Sequence, residues 1–543
     1  LIAPNSASKI EKATYIAKNL IGLTLKASVA DLASLEKLLG LMYAAMMINF
    51  EVINVLWQIY NLSDRSEEVR RQKRGAIIIL GMLSLEDNQI AIKGFDSLLN
   101  IGLGDEGKDD LILGRYTCIA LQRVIPADAK KNSTMVKIPR EEEAITKFKQ
   151  ILIDYNENPE WYSISEEAID AIFQLSSEPD RVCSDVIKTK AVAVFGDNRA
   201  SVENPDVALS QLLFIVGHVA IKTIVFLEKL EGQFKKKKHE AESKKGTANS
   251  NNSSTAADAQ EEAEGENELE MIGGTSEDDF ADAVVHVKER ELLYGDYSLL
   301  GRFGPLVKEI CAHPKQFSNL RLQRSAVLCL TKLMCVSSIY CEENLPLLLQ
   351  IMEKSDDPVT RCNCVLGLGD VAVCFNNIVD ENTEYIYSRL TDENIMVQRT
   401  CLMTVTFLIL AGQVKVKGQL SSMAKCLENP DQSISDMCRL FFAELATKDN
   451  AIYNGFIDIF SGLSNDETLA KDEMKRIIRF LVGFIDKEKH QKQLAEKLLA
   501  RLPKCQLENQ WQDVAFVLQT IPYKNDAIAA ALEEGFTLVL AKH

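Results

Sequence analysis

The sequence predicts an all-α fold, an α-solenoid in which short helical repeats stack on their neighbours. Apolar residues recur at helical spacing along most of the 543 residues, for example at Ala13, Ala17, Leu20 and Ile21, and short polar breaks separate these segments. Glycine and proline number only 27 and 13, too few for a fold built from β-hairpins. Equivalent helices also return at a constant interval, which is typical of a repeat array.

Length and charge predict how the array is divided. A chain of this length exceeds what one hydrophobic core supports, so an elongated array or several domains is expected. Between Glu231 and Asp282 it carries 14 acidic and 6 basic residues and almost no large apolar side chain. Such a segment cannot offset the entropy of ordering. We therefore expect a helical array over 1–233, a disordered charged linker over 234–283, and a second array over 284–543.

The repeat interval is clearest in the second array. Four helices begin with an apolar residue followed two positions later by a charged one, and the apolar residues lie 37, 38 and 37 apart: Leu322, Val359, Val397 and Ile434. The charged positions are Arg324, Arg361, Arg399 and Asp436. Asp357, Thr391, Asp392 and Asp431 are suitable acceptors for the helix starts. This period and composition resemble the HEAT repeat.

The three arginines of this series have two interpretations. They could form a basic stripe that contacts DNA, or a ladder of ion pairs between repeats with acids such as Asp357 and Asp392. The ladder is favoured, because that position faces the neighbouring repeat. The net charge of −17 does not exclude DNA contact, since nucleic-acid binding depends on local basic patches.

Other patterns argue against membranes, metals and disulfides. The apolar runs Leu39–Trp57 and Gln211–Leu227 carry polar residues at membrane depth, including His218 and Lys222, so we expect buried helices. Thirteen cysteines include no CxxC pair, so no metal site is predicted and the thiols are expected to be buried in a reducing, intracellular compartment. Leu1 is not an initiator methionine, and we expect a fragment of a longer protein.

One stretch imitates a nucleotide site. Gly102–Asp109 satisfies G-x-G-x-x-G and nearly matches the P-loop, but Asp109 occupies the place of the Mg²⁺-binding Ser or Thr. Both motifs follow a strand, whereas the preceding residues have helical periodicity, so a glycine-rich inter-helix loop is predicted. No catalytic motif is found, and we predict neither enzymatic activity, nor a cofactor, nor a small-molecule substrate.

Four segments resemble the condensin complex subunit 1 family, the regulatory HEAT-repeat subunits that work with an SMC ATPase. They are RCNCVLGLGDVAVCF (Arg361–Phe375), YSRLTDENIMVQRTCLMTVTFLIL (Tyr387–Leu410), VKVKGQLSSMA (Val414–Ala424) and FFAELATKDNAIYN (Phe441–Asn454). The resemblance covers Ser298 to about Pro522, and is weaker over Asn158–Ile187.

This resemblance implies a scaffold that binds a kleisin subunit and docks an SMC ATPase head, coupling ATP turnover to mitotic chromosome condensation. The family's head-docking loop matches Lys415, Val416, Lys417 and Gly418; by composition alone these residues would be an ordinary basic turn. Asn450, Tyr453 and Asn454 lie one repeat later and are expected to shape the same surface. The resemblance also implies a second HEAT-repeat subunit as an indirect partner and DNA as a further one. The expected location is the nucleus and chromosomes, and a cytoplasmic pool is compatible with it.

Three other functions are considered beside the condensin scaffold, two of them built on a similar solenoid and one an enzyme. A transport receptor or vesicle-coat adaptor would share the solenoid, the acidity and the intracellular location. A phosphatase scaffold of HEAT repeats fits the long charged linker less naturally. An independent enzyme is the weakest alternative. Co-purified proteins would distinguish these possibilities.

Overall fold

A computed structural model describes residues 8–126, 140–196, 203–248, 277–413, 419–448 and 450–536, with side chains for all of these except 240–248. Within these ranges the regular structure is helical and no β-strand occurs. The predicted all-α fold class is confirmed. The chain divides into two compact units, Leu1–Tyr340 and Cys341–His543, and the division falls inside one helix, Ser338–Lys354.

Unit 1 contains fifteen described α-helices and the start of a sixteenth. They are α1 (Lys9–Thr24), α2 (Val29–Ala44), α3 (Phe50–Tyr60), α4 (Glu67–Ser84), α5 (Gln89–Lys93), α6 (Phe95–Ser97), α7 (Asp105–Asp109), α8 (Leu111–Gln122), α9 (Glu141–Ile153), α10 (Glu160–Leu175), α11 (Pro179–Phe195), α12 (Pro205–Ala248), α13 (Glu277–His286), α14 (Gly304–Ala312), α15 (Leu320–Met334) and α16 (Ser338–Lys354). Short π-helical turns occupy Leu98–Gly102 and Val287–Glu291, and a 3-10 turn occupies Gly301–Phe303.

Unit 2 continues from α16 with a more regular succession. Its described α-helices are α17 (Pro358–Cys374), α18 (Asn376–Asp380), α19 (Thr383–Tyr387), α20 (Ile395–Leu410), α21 (Leu420–Lys425), α22 (Gln432–Ala446), α23 (Ala451–Ser464), α24 (Lys471–Val482), α25 (Glu488–Leu499), α26 (Glu508–Thr520) and α27 (Asp526–Glu534). The 3-10 turns are Ser388–Thr391, Cys426–Glu428 and Leu502–Lys504.

The main packing pairs join helices that are one to four positions apart in the series. In unit 1, α4 packs on α3 and α8, α8 on α10, α10 on α12, and α12 on α15. In unit 2, α17 packs on α20 and α20 on α22. A helix pair cannot bury its apolar face alone, so successive pairs share one continuous core. This arrangement is that of stacked helical repeats.

The repeat is visible in how the helices begin. Four helices each start after an Asn or Asp whose side-chain oxygen accepts from a backbone N–H of the first turn, at distances of 2.9–3.2 Å: Asn319, Asp357, Asn394 and Asp431. These caps lie 38, 37 and 37 residues apart in the sequence. Asp357 and Asp431 were predicted. Thr391 and Asp392 were the wrong residues for α20, because the helix starts only after Asn394.

Burial corrects the predicted repeat register by one residue in α17. The third residue of each helix is buried, and so is the residue four positions later: Leu322, Thr360, Val397 and Ile434, then Ala326, Cys364, Cys401 and Cys438. The sequence had placed Val359 and Asn363 in these positions, but both are only half-buried. The error arose because the arginines were aligned, and Arg361 does not occupy the position that Arg324 and Arg399 share.

The cysteines fill positions in this core. Eleven of the thirteen are buried, as expected. The Cys401 thiol donates to the carbonyl of Ile386 at 3.0 Å, and the Cys438 thiol donates to the carbonyl of Met423 at 3.1 Å. Burial raises the pKa of both thiols, which keeps them protonated and unreactive. They serve as small apolar side chains with one weak donor.

The predicted linker is shorter than expected at both ends. Helix α12 continues to Ala248 and α13 begins at Glu277, so residues 234–248 and 277–283 are helical. The Phe234 and Phe280 rings stack at 4.3 Å, and Lys288 pairs with Glu228 at 3.0 Å. These contacts supply apolar and ionic stabilisation that composition alone did not reveal. Residues 249–276 lie outside the described residues.

One helix in the described part of the chain is long and apolar enough to cross a membrane. It is the segment Pro205–His239 of α12, and 67% of its most apolar window is buried within the fold. His218 and Lys222 from this helix both contact Asp170, at 2.8 and 2.7 Å. A core helix passes the same test of length and composition, and these polar contacts fit a core position. The run Leu39–Trp57 is divided by the turn between α2 and α3.

Candidate partner-binding surface

The predicted docking loop, Lys415 to Gly418, lies outside the described residues, but its two ends are defined. Helix α20 ends at Leu410, where the Ala411 N–H donates to the Phe407 carbonyl at 2.8 Å. Gly412 then adopts a φ of 73°, a left-handed conformation that favours glycine. On the other side α21 starts at Leu420, which is buried. The loop therefore connects two points that the core holds in place.

The second predicted group surrounds the start of α23. Asn450 has a φ of 56° and its carbonyl accepts the Asn454 N–H at 3.0 Å. The Tyr453 hydroxyl donates to Gln493 Oε1 at 2.8 Å, and its ring stacks on His490 with centroids 4.1 Å apart. Tyr453 is half-buried and Asn454 is exposed. The aromatic ring is thus fixed in position but still accessible from solvent.

The second predicted group lies next to the described flank of the docking loop. Lys448, in the turn before α23, donates its ammonium to the carbonyl of Leu410 at the end of α20. This bond connects the turn that carries Asn450 with the turn that leads into the docking loop. The inference that both groups belong to one surface thus has support from the described flank, and the loop residues themselves stay a prediction.

We call the described part of this region the Tyr453 surface, and define it as Lys448, Asn450, Tyr453, Lys487 and His490. The last four line a cavity of about 340 Å³. Lys487 Nζ lies 2.9 Å from Asn450 Oδ1. A third lysine, Lys497, lies 5.6 Å from the centroid of the Tyr453 ring. Asp486 also lines the cavity, so the surface is mixed in sign but mainly basic.

Sequence reasoning missed Lys487 and His490, although the repeat period could have found them. Lys487 lies 37 residues after Asn450, and His490 lies 37 residues after Tyr453. Residues one period apart occupy equivalent positions in adjacent repeats, so their side chains are neighbours. No local motif identifies Lys448 or Lys497.

Two of the three ladder arginines have defined ion pairs, and these support the structural interpretation over the DNA stripe. The Arg361 side chain is 5% exposed and binds both Asp392 oxygens, at 3.0 and 2.9 Å. This hydrogen-bonded carboxylate holds the pKa of the Arg361 guanidinium above its ordinary value. Arg399 lies 3.6 Å from Asp431. Arg361, a buried guanidinium with a carboxylate partner, cannot contact a phosphate backbone, whereas the Arg399 side chain is 47% exposed.

The glycines of the stretch Gly102–Asp109 allow close packing of the backbone against neighbouring residues. A Cβ on Gly102 would lie 2.0 Å from Thr117 Oγ1, and one on Gly107 would lie 1.7 Å from the Gly102 carbonyl oxygen. Instead of the predicted loop, this stretch forms a π-helical turn followed by α7. Glu106 pairs with Lys73 at 2.6 Å. A helical turn precedes the glycines, whereas a phosphate-binding loop follows a strand.

A comparison with protein families finds a match in the second half of the chain. The model described as "non-SMC mitotic condensation complex subunit 1" matches residues 359–519, which run from the beginning of α17 into α26. The Tyr453 surface and the predicted docking loop both fall inside this range.

Relatives extend the similarity along the chain. Condensin complex subunit 1 of Saccharomyces cerevisiae is 56% identical, over 100% of this chain and 48% of its own length. The Schizosaccharomyces pombe protein of the same name is 44% identical, over 98% of this chain and 47% of its own length. The Homo sapiens protein is 30% identical, over 98% of this chain and 39% of its own length. The chain therefore spans about half the length, or less, of these curated relatives.

A solved structure agrees with the fold. The C-terminal fragment of the cohesin loader SCC2 from Chaetomium thermophilum superimposes with a TM-score of 0.57 at 11% identity, over 98% of this chain and 38% of the fragment. The fold is therefore that of a helical-repeat solenoid. The sequence identity of 56% and 44% along the chain, with the matching family model, shows that the chain belongs to the condensin complex subunit 1 family.

Proposed function

We propose that this chain is part of a non-catalytic regulatory scaffold of the condensin complex. In this proposal it docks an SMC ATPase head through the loop Lys415–Gly418 and the adjacent Tyr453 surface. It also holds a kleisin segment along its solenoid, and so couples ATP turnover to chromosome condensation. The proposed location is the nucleus and chromosomes.

The observation that carries the docking proposal is the bond from Lys448 to the Leu410 carbonyl. It brings the turn that follows α20 together with the turn between α22 and α23. Lys448 and Lys487 are exposed there, and the sequence adds Lys415 and Lys417. Clustered cations in a chain of net charge −17 create a local field that steers an acidic partner surface.

The Tyr453 ring supplies an aromatic anchor for a bound partner, which charged side chains alone do not provide. Interface energy is concentrated in a few aromatic or arginine anchors, and surrounding polar contacts set orientation. Tyr453 is held by His490 and Gln493 and so loses little entropy when a partner binds. A basic edge with a fixed aromatic ring is suited to a protein partner more than to a small substrate.

The test measures binding of a purified SMC ATPase head to the full chain carrying K415E/K417E. We expect affinity to fall by at least about tenfold, because two attractive charges become repulsive. Y453A should weaken binding through loss of the anchor. The matched control is K12E/K18E, which reverses two exposed lysines of α1. Undiminished head binding by a folded K415E/K417E chain would refute the docking proposal.

Kleisin and DNA contacts need separate measurements. A kleisin fragment should co-purify with the chain even when K415E/K417E abolishes head binding, if the two partners use different surfaces. DNA affinity that falls steeply with salt would indicate direct phosphate contact. Recovery of a small GTPase or clathrin-type partner in place of kleisin and SMC proteins would instead favour a transport receptor or coat adaptor.

A further inference from the structure

Unit 2 contains a groove that the docking proposal does not use, between α16 on one side and α18 and α19 on the other. It encloses about 690 Å³. The α16 wall consists of one helical face: Glu342, Leu345, Pro346, Leu349, Gln350 and Glu353. The opposite wall has the same spacing, with Ile378, Glu381, Asn382 and Tyr385. Two helix faces thus oppose each other across an open channel.

The groove is apolar along its floor and acidic at its rim. Leu345 and Leu349 form part of the floor, and Tyr385 is 38% exposed. Glu342 and Glu353 lie at the two ends of the α16 face, eleven residues or about 16 Å apart. Glu381 lies on the facing wall. The length corresponds to about three turns of a bound helix.

The rim carboxylates form no ion pair with a basic side chain in the described part of the chain. Among the described side chains, no ion pair joins Glu342, Glu353 or Glu381 to a basic residue, in contrast to Asp392 and Asp466 of the same unit. The stretch 338–391 carries nine acidic and three basic residues, and two of the three bases, Arg361 and Arg389, are already paired with Asp392. The groove therefore has uncompensated negative charge around an apolar centre.

Pro346 leaves a backbone carbonyl on the α16 wall of the groove without its usual helical donor. It lies inside α16 and has no N–H, so it cannot donate to the Glu342 carbonyl four residues earlier. A proline in a helix interior is costly unless something compensates for the lost bond. Here it lies at the groove, where a bound partner could supply a donor.

We infer that this groove binds a basic amphipathic helix of a partner protein. The partner segment would place leucine-like side chains on Leu345, Leu349 and Tyr385, and a lysine or arginine near Glu342 at one end and Glu353 at the other. Helix-in-groove recognition uses anchors at i, i+3 or i+4, and i+7, which fits the spacing of both walls. Nucleic acid does not fit, because its phosphates would meet three carboxylates. The groove is acidic, whereas the Tyr453 surface is mainly basic. The groove therefore takes a basic partner segment, and the Tyr453 surface takes an acidic one.

The test uses fluorescence anisotropy with the full chain and a labelled synthetic helical peptide of about 15 residues, with leucines at i, i+3, i+4 and i+7 and lysines at both ends. We expect saturable binding that weakens with salt. The variant E342K/E353K/E381K should lose at least about tenfold in affinity. Y385A, which leaves the charges unchanged, should also weaken binding. A peptide with glutamates in place of the lysines should not bind.

The control is E467K/E496K/E533K, which changes the net charge equally at three exposed glutamates of unit 2. It should retain peptide affinity, with helicity measured for every variant. Failure of the unaltered chain to bind the peptide would overturn the inference, and so would an equal loss in the control. Concentration-dependent dimerisation of the chain that E342K/E353K/E381K abolishes would also overturn it, because the occupant would then be a second copy.

Discussion

Two arginines in adjacent helices of unit 2 have different environments although the sequence around them looks alike. Arg361 in α17 is almost completely buried and binds Asp392 through two hydrogen bonds. Arg399 in α20 has a side chain that is 47% exposed and lies 3.6 Å from Asp431, with Ser433 as its nearer partner. Both follow an apolar residue by two positions, so the local pattern does not distinguish them.

The difference comes from the register of the two helices. Thr360 and Val397 are equivalent buried positions, so Arg361 corresponds to Gln398 and Arg399 corresponds to Cys362. A shift of one residue rotates a side chain by about 100° around the helix axis. That rotation places Arg361 against the next repeat and Arg399 at the surface. The comparison shows that repeat register must be taken from burial and capping, since a shared charged residue can be coincidental.

The largest effect is expected from R361A. It removes a buried cation and leaves Asp392 without its main partner in a site where only 2% of the carboxylate side chain is exposed. Breaking one side of a buried ion pair typically costs about 3–5 kcal/mol. Urea denaturation followed by circular dichroism should show this loss in the free energy of unfolding.

A double substitution sharpens this prediction. R361M/D392L replaces both charges with apolar groups, and we expect recovery of most of the lost stability, because removing both partners leaves no unpaired charge. Equal destabilisation of the single and double variants would mean that packing around Arg361, and not its charge pairing, accounts for the loss.

An ion pair of intermediate exposure, Lys425–Asp466, should give an intermediate and pH-dependent effect. Lys425 Nζ lies 2.6 Å from Asp466 Oδ2, and hydrogen bonds from Lys425 and Thr468 lower the pKa of Asp466 to about 2. An unfolded aspartate titrates near 3.9. The pair therefore stabilises the fold above about pH 4, and this contribution is lost as pH falls towards 2. We expect D466N to cost about 1–2 kcal/mol at pH 6.

The same denaturation measurement at several pH values provides the check. The difference between the unaltered chain and D466N should shrink below pH 4, because protonation of Asp466 removes the charge that the variant lacks. A difference that stays constant down to pH 3 would exclude the ion pair as its cause.

The smallest effect is expected from R399A. An exposed ion pair contributes about 0–1 kcal/mol, because solvent screens it and the long side chain loses entropy when it is held. The unfolding free energy should change by no more than that amount, in the same assay as R361A. A loss as large as that of R361A would contradict the register derived from burial.

The fold class and several site features could be predicted from the sequence. Helical periodicity depends on which residues are apolar, and this requires no knowledge of contacts. The 37-residue interval and the caps Asp357 and Asp431 are likewise local signals. The resemblance to condensin complex subunit 1 led to Tyr453 and Asn450, and the period could have added His490 and Lys487. The linker ends were mispredicted because Phe234–Phe280 stacking joins residues 46 positions apart in the sequence.

The sequence by itself determined that this protein is a helical repeat array with buried thiols and the family to which it belongs, because periodicity, composition and motif identity are properties of the linear chain. Only the tertiary structure decided which arginine is buried, which turns are neighbours and where uncompensated acids surround an apolar groove. Those outcomes depend on the rotation of each helix and on contacts across repeats. A one-residue shift in register turns a side chain by about 100° around the helix axis, so it changes which side chains are buried while the local sequence pattern stays the same.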